Sequence, residues 1–166
     1  MTLDFTLLRS AKHYLSPQQD LLIADIEIIF SRLKTIDKIS DFSFIVAPAA
    51  KAYEGFLKEF FFRVGLIDKY TYQSDRFRVG KTLNPSLRYK RFSIFQKLAE
   101  IDPEGEELAE NLWNAWKYGR NEIFHYFPNI SQNITYAESL ERIHLILKAI
   151  IASGKFLDKN IDSTVN

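Results

Sequence analysis

The chain has 166 residues, of which 46% are hydrophobic and 14% aromatic, with six glycines and five prolines, so one domain with a sizeable apolar core is expected. The formal net charge of +1 argues against binding nucleic acid through a uniformly basic surface. The absence of cysteine excludes disulfides, thiolate metal sites and cysteine nucleophiles. No secretory signal and no apolar stretch of about 18 residues is recognisable, so a cytoplasmic protein without a membrane partner is predicted.

Helical spacing dominates the first part of the chain. Residues 16–19 form a Ser-Pro-Gln-Gln capping box that predicts a helix to about Lys38. Its apolar stripe is Leu22, Ile26, Ile29, Leu33 and Ile36. A second helix is predicted from Asp41 to Gly65, in which Pro48 either kinks the helix or marks its true start.

Three further helices are predicted, at 85–100, from 103 toward 125, and at 136–154. An Asn-Pro and an Asp-Pro pair open the first two. A Thr-x-x-Glu capping box opens the third, which Gly154 ends.

These patterns predict an all-α fold, an up-down bundle of about five helices. Residues 1–15 are assigned to a leader, 16–154 to the helical domain and 155–166 to a polar tail. Residues 66–84 show no clear period, and no set of strands is predicted.

Charge is concentrated in the middle of the chain. Residues 63–91 include eight basic and two acidic side chains, whereas 100–110 hold six acidic and no basic ones. The candidates for RNA binding are Arg76, Arg78, Arg88, Lys90 and Arg91. Aromatic residues at 77, 89 and 92 are available to stack on unpaired bases. A solvated loop and helix face is an equally good interpretation.

The segment RNEIFH at 120–125 combines groups suited to phosphate chemistry. Arg120 can clamp a phosphate through two donors, and His125 is the residue type that exchanges protons most readily near neutral pH. On a regular helix Asn121 shares a face with His125, so the amide is predicted to hold the imidazole or contact a substrate. Arg120 would not share that face unless its side chain curls or the helix loosens near Gly119. A surface arginine with a packed histidine stays open as an alternative.

Glu54 lies in an otherwise apolar stripe of the second predicted helix. The stripe is Ala47, Ala50, Glu54, Leu57, Phe61 and Val64. An unpaired carboxylate there would be costly, so either Glu54 faces a cation such as Arg120 or the edge of the stripe is wet. A role in a functional site and a purely structural ion pair are both open.

These segments resemble the HEPN superfamily, whose signature is Arg-x4-His with a polar residue directly after the arginine. Segments 47–67, 107–128 and 139–151 are most similar to the HEPN domain of RNase LS-type toxins. The resemblance covers most of residues 42–152. Known toxins of this type carry further domains ahead of this one, so the chain resembles the HEPN part with a short leader.

The resemblance implies an endoribonuclease that needs no metal or other cofactor. Arg120 would stabilise charge on the phosphorane, His125 would act as general base or acid, and Asn121 would orient the reacting groups. Glu54 would position Arg120 or share the proton transfer. No histidine has partners at metal-ligand spacing, so no metal site is predicted.

The resemblance also implies three partners: RNA, a second copy of the chain in a homodimer, and a cognate inhibitor in a toxin–antitoxin or phage-defence system. Aromatic residues around the motif are expected to supply both core and dimer surface. They are Trp113, Trp116, Tyr118, Phe124, Tyr126 and Phe127. A catalytically silent dimerisation, adaptor or RNA-binding module is the main alternative, and an unrelated helical interaction protein is the third.

Overall fold

A computed structural model describes residues 2–33, 39–125 and 133–160, and every regular element in these ranges is helical. The predicted all-α fold is therefore confirmed. The α-helices are, in chain order, α1 (Phe5–Lys12), α2 (Pro17–Arg32), α3 (Ser43–Arg63), α4 (Lys69–Gln73), α5 (Val79–Thr82), α6 (Ile94–Ala99), α7 (Gly105–Trp116), α8 (Glu122–Phe124) and α9 (Tyr136–Asn160). A 3₁₀ turn (Pro85–Leu87) precedes α6, and a π-helical turn (Lys117–Asn121) joins α7 to α8. No helix in the described ranges is long and apolar enough to cross a bilayer.

Capping boxes fix the starts of α2 and α9, as predicted. The Ser16 hydroxyl accepts from the N–H of Gln19, and the Gln19 side chain accepts from the N–H of Ser16. Thr135 and Glu138 form the same reciprocal pair before α9. Each box satisfies two N–H groups that the first turn of a helix leaves without a backbone partner.

The stripe predicted for α2 is rotated in the structure. The buried apolar residues are Ile23, Ile26 and Phe30, whereas Leu22 and Ile29 are half-buried. Residues 34–38, which include the predicted end of this helix, lie outside the described residues.

The core lies where α3 packs between α2 and α9. Ten side chains of α3 are buried, a mixture of small residues that allow close approach and aromatic residues that fill space. Pro48 lies inside α3 and does not mark its start. Because proline has no N–H, it cannot donate the usual helical bond to the carbonyl of Phe44. Phe44 is exposed and Pro48 half-buried, so solvent can reach this carbonyl and the cost is small.

The helix predicted at 85–100 is interrupted. The Asn84 side chain accepts from the N–H of Ser86 and starts only a short 3₁₀ turn. Ser93 then accepts from the N–H of Gln96 and starts α6. Polar side chains that cap a neighbouring N–H compete with a continuous helix, and here two of them divide one predicted helix into two short elements.

Much of the predicted leader belongs to the bundle. Residues 5–12 form α1, which packs on α9 and buries Leu8 and Ala11. The N–H of Asp4 donates to Nε2 of His144 on α9 over 3.1 Å. The beginning of the chain is thus tied to the last helix.

The prediction that Gly154 ends the last helix is wrong, because α9 continues to Asn160. Phe156 and Leu157, assigned to a polar tail, are buried. A Cβ at position 154 would lie 2.2 Å from Cδ1 of Tyr14, so glycine here lets the tyrosine ring lie against α9. Residues 161–166 lie outside the described residues.

Candidate functional site

At the candidate site, two consecutive residues of α3, Tyr53 and Glu54, differ in how far they are buried. Tyr53 is fully buried, and its hydroxyl donates to the carbonyl oxygen of Leu112 in α7 over 3.0 Å. Burial raises the pKa of Tyr53 well above its ordinary value, so the phenol stays protonated and can donate. Glu54 lies next to it at the edge of the helix interface, where 33% of its side chain is exposed.

The helix that carries the RNEIFH motif loosens where α7 ends. The N–H of Glu122 donates to the carbonyl of Lys117, five residues earlier, instead of forming the usual bond to the fourth. A Cβ at Gly119 would lie 2.7 Å from the side chain of Ile146, so glycine allows this turn to pack closely on α9. The helix thus loosens near Gly119, which is one of the two conditions named for Arg120 and His125 to share a face.

Arg142 of α9 fixes the loosened turn. Its Nη1 donates to the carbonyl oxygen of Tyr118 and pairs with Oε2 of Glu122 at 3.2 Å. The irregular backbone between α7 and α8 is therefore held by a side chain from a neighbouring helix as well as by its own bonds. These contacts fix the backbone from which the Arg120 side chain extends.

Arg120 forms the ion pair with Glu54 that the apolar stripe suggested. Its Nε and Nη2 both donate to Oε2 of Glu54, at 3.3 and 3.2 Å. Lys58 Nζ lies 3.7 Å from the other carboxylate oxygen. Because 28% of the Arg120 side chain is exposed, water reaches this edge of the stripe. Both possibilities named from the sequence are therefore present: Glu54 faces a cation, and the edge of the stripe is wet.

Two aromatic rings complete the environment of Arg120. The guanidinium carbon lies 4.9 Å from the ring centroid of Trp116 and 5.5 Å from that of Phe124. Such contacts favour a cation and restrict its orientation. The guanidinium is thus held by one carboxylate and two rings at the boundary between core and solvent.

Two clefts meet at the Glu54–Arg120 pair. The larger, which we call the apolar cleft, has a volume of about 420 Å³. The smaller, which we call the basic cleft, has a volume of about 220 Å³. The apolar cleft is lined by Leu22, Phe44, Ala47, Pro48, Ala50, Lys51, Glu54, Arg120 and Phe124. The basic cleft is lined by Glu54, Phe77, Arg78, Val79, Gly80, Lys81, Trp116, Arg120 and Asn121.

The stretch from Asn121 to His125 is not one regular α-helix. Asn121 ends the π-helical turn, and α8 stops at Phe124, so His125 has extended backbone angles (φ −110°, ψ 130°). A spacing of four residues aligns two side chains only where the backbone is a regular α-helix. Asn121 lines the basic cleft, whereas His125 is exposed and is not among the residues that line either cleft.

The basic candidates divide into three groups. Arg78 lines the basic cleft, and its Nη1 donates to the carbonyl of Asp75. Arg76, Lys90 and Arg91 are exposed and line neither cleft. Arg88 forms the third group, because it is half-buried and paired with Glu106.

Arg88 is held against the bundle. Its Nη1 pairs with Glu106 at 2.8 Å, its Nε donates to Gln96, and its guanidinium lies over the ring of Phe95. The hydrogen bond to Glu106 raises the pKa of the Arg88 guanidinium. Of the five candidates, Arg88 therefore has the strongest structural ties.

Sequence reasoning missed Lys58 and Lys81 as site residues. Lys58 follows Glu54 by four positions, a spacing that predicts an ion pair on a helix. Lys81 was counted in the basic segment but not selected, and no local spacing connects it with Arg120. Only the packing of α5 beside the π-helical turn brings them to one cleft.

The aromatic flank of the motif serves more than one purpose. Trp116 is buried and Trp113 half-buried, whereas Tyr118 and Phe124 are exposed. The expected contribution to the core is therefore present, and two rings remain at the surface. Tyr126 and Phe127 lie outside the described residues.

Within residues 2–33, 39–125 and 133–160, no three His, Asp or Glu side chains are arranged to hold a metal ion. No protein-family model matches the chain, and no curated protein or solved structure matches it either. The residues of the site and their geometry therefore carry what can be inferred about function.

Proposed function

We propose that the chain is a metal-independent endoribonuclease of the HEPN type. The observation that carries the proposal is the position of Arg120, held by Glu54 and two aromatic rings where a basic cleft meets an apolar one. A cation fixed at such an edge is suited to a phosphate that arrives from solvent. Asn121 lines the same basic cleft.

The proposed reaction is an internal transfer at phosphorus. The 2′-hydroxyl gives its proton to a base and forms a bond to the adjacent phosphorus, while the bond to the 5′-oxygen breaks and that oxygen takes up a proton. The products are a 2′,3′-cyclic phosphate and a 5′-hydroxyl. His125 acts as general base or acid, a role worth about 10²–10⁴-fold in rate.

Glu54 positions Arg120 in this proposal. Nε and Nη2 of Arg120 are directed to one oxygen of Glu54, and within the described residues Nη1 makes no hydrogen bond. Nη1 is therefore available for a non-bridging phosphate oxygen while the carboxylate holds the rest of the group. Charge that develops on the phosphorane would be stabilised by a donor already in place.

We further propose that the active form is a homodimer. His125 lines neither cleft beside Arg120, so a site that uses both residues is more readily built from two copies than from one. Exposed Phe44, Tyr118 and Phe124 are candidates for the contact. Light scattering at micromolar concentration should give twice the mass of one chain, and a monomer at all concentrations would contradict a composite site.

An active ribonuclease of this kind also requires control in its host. We propose a cognate inhibitor protein and a toxin–antitoxin or phage-defence setting. Expression of the wild-type chain should slow the growth of a host that lacks the inhibitor, whereas His125→Ala should not. Growth inhibition by both proteins would separate toxicity from RNA cleavage.

The decisive test uses purified protein and mixed-sequence RNA in excess EDTA. We expect cleavage that leaves 2′,3′-cyclic phosphate and 5′-hydroxyl ends, because none of the proposed steps uses a metal ion. Products with 3′-hydroxyl ends, or activity abolished by EDTA and restored by a divalent cation, would contradict the mechanism.

A catalytically silent HEPN-like RNA-binding or dimerisation module is the second candidate. The position of His125 outside both clefts of the single chain favours it. Such a module would bind RNA and leave it intact, and replacing His125 by Ala would not change its affinity. RNA cleavage that depends on His125 would exclude this candidate.

A further inference from the structure

The lining of the basic cleft carries more positive than negative charge. Arg78, Lys81 and Arg120 supply three cations, and Glu54 is the one acidic residue among the described residues of its lining. Glu54 already pairs with Arg120 and with Lys58. The cleft therefore keeps an excess of positive charge within a volume of about 220 Å³.

Neither Arg78 nor Lys81 has a carboxylate partner among the described residues. Arg78 donates through Nη1 to the carbonyl of Asp75, and Lys81 lies over the ring of Phe92 at 4.8 Å. The carbonyl and the ring restrict these side chains without neutralising their charge. Arg88, 10 residues after Arg78, shows the contrast, since Glu106 neutralises it.

Helix α5, which carries Lys81 and directly follows Arg78, packs on Trp116, one of the rings that hold Arg120. A Cβ at Gly80 would lie 2.5 Å from Nε1 of Trp116, so α5 touches the indole over which the Arg120 guanidinium lies. Val79 and Thr82 are buried on either side of this contact, and Thr82 donates to the carbonyl of Val79. Both sides of the cleft are therefore fixed relative to each other.

From these observations we infer that the basic cleft is a phosphate subsite for single-stranded RNA, next to the phosphate that Arg120 contacts. This inference rests on the proposed function and specifies how the substrate is held. Arg78 and Lys81 take the phosphate of the neighbouring nucleotide, while Arg120 contacts the scissile one.

The test compares two cleft variants with two matched controls. The cleft variants are Arg78→Gln and Lys81→Gln, and the controls are Arg9→Gln on α1 and Lys97→Gln on α6. All four residues are exposed, each change removes one positive charge, and neither control lines the two clefts that meet at Arg120. Binding of a short single-stranded RNA is measured by fluorescence anisotropy over a series of salt concentrations. Each change is made in His125→Ala protein, so that cleavage does not disturb the measurement.

Each cleft variant should bind RNA about 3- to 10-fold more weakly and should reduce the magnitude of the slope of log affinity against log salt by at most roughly 0.7, the contribution of one whole phosphate contact, because the other cation stays in place. The controls should change affinity by less than about 2-fold, as expected for long-range charge alone. Equal losses in all four variants, or no binding of RNA at all, would overturn the inference.

The phosphate subsite and the ribonuclease activity can fail independently, and different results would show which of the two is contradicted. In protein that retains His125, RNA that binds through Arg78 and Lys81 but is not cleaved would contradict the ribonuclease and support the subsite. Cleavage with the same KM in both cleft variants and wild type would support the ribonuclease and contradict the subsite. Thermal unfolding of all four variants at the wild-type temperature would show that each loss arises in binding and not in folding.

Discussion

The regular part of α7 and the loosened turn that follows it are each reached by one polar residue of α3. Tyr53 meets the regular part and donates to the backbone of Leu112 from a fully buried position. Glu54 meets the loosened part and pairs with Arg120 where both side chains are partly exposed. Two consecutive residues of one helix thus make one contact that is buried and one that solvent can reach.

The difference between these contacts shows how a single helix interface can serve stability and function. A buried phenol with one backbone partner has no donor left for a ligand, so its contribution is to the fold. A partly exposed ion pair contributes little to stability, because solvent screens it. The same exposure makes Arg120 accessible to a phosphate.

The largest expected effect is on the rate of RNA cleavage, which should depend on the partly exposed contact at Arg120 and not on the buried contact of Tyr53. Arg120→Ala and His125→Ala should each lower the rate of RNA cleavage by about 10²–10⁴-fold, since each removes a group to which the proposed mechanism gives a role in the transition state. Arg120→Lys should also be badly impaired, because lysine keeps the charge but lacks the planar fork of donors. Cleavage rates under single-turnover conditions measure these losses.

The control for this series is Tyr53→Phe. Loss of its buried hydrogen bond should lower the free energy of unfolding by about 0.5–1.5 kcal/mol and leave cleavage at the wild-type rate well below the melting temperature. Undiminished cleavage by His125→Ala at neutral pH would contradict the enzymatic proposal and favour the binding module.

A smaller effect is expected when the loosened turn is forced away from α9. A Cβ at Gly119 would lie 2.7 Å from the side chain of Ile146, which is fully buried and has little room to move. Gly119→Ala should therefore lower the free energy of unfolding by about 1–3 kcal/mol, as overpacking does elsewhere. Urea denaturation measures this change, and wild-type stability would show that the turn is not constrained by α9.

The smallest expected effect is on how the free energy of unfolding depends on pH. It arises from His144, which lies between α1 and α9 and away from the candidate site. Burial lowers the pKa of His144, Lys148 adds to the decrease, and Asp4 opposes it. Because the folded state then binds a proton less readily than the unfolded state, this contribution to stability is present above the unfolded pKa of about 6.5 and is lost as the pH falls below it. Protonation of Nε2 would also break the hydrogen bond from the N–H of Asp4.

We therefore expect the free energy of unfolding of the wild type to decrease slightly between about pH 7 and pH 5. His144→Gln, which keeps an acceptor but does not titrate, should show a smaller decrease over the same range. Urea denaturation at several pH values makes the comparison, and identical profiles for the two proteins would show that His144 does not contribute.

Sequence reasoning succeeded where the determinants are local. The starts of α2 and α9 follow from capping boxes in which two side chains satisfy nearby N–H groups. The apolar stripe of α3 placed Glu54 at the edge of the core and suggested its pairing with a cation, which Arg120 provides. Both inferences depend on regular helical spacing over a few turns.

Prediction failed where packing overrides local spacing. Gly154 was expected to end the last helix, but Tyr14 lies against it and α9 continues to Asn160. The sequence also did not predict that the chain leaves the helix at His125, or that Asn121 but not His125 lines the basic cleft. The basic cleft depends on contacts between α5 and α7 that no short pattern in the sequence encodes.

The central claim is that the Glu54–Arg120 pair belongs to an active site and is more than a structural ion pair. Glu54→Gln tests it most directly, because glutamine keeps the size of the side chain and removes its charge. The measurement is the single-turnover rate of RNA cleavage, with the free energy of unfolding determined on the same protein. The account predicts a marked loss of rate and a change in stability of less than about 1 kcal/mol, the usual contribution of an exposed pair. Cleavage at the wild-type rate would contradict the account and leave the carboxylate with a structural role alone.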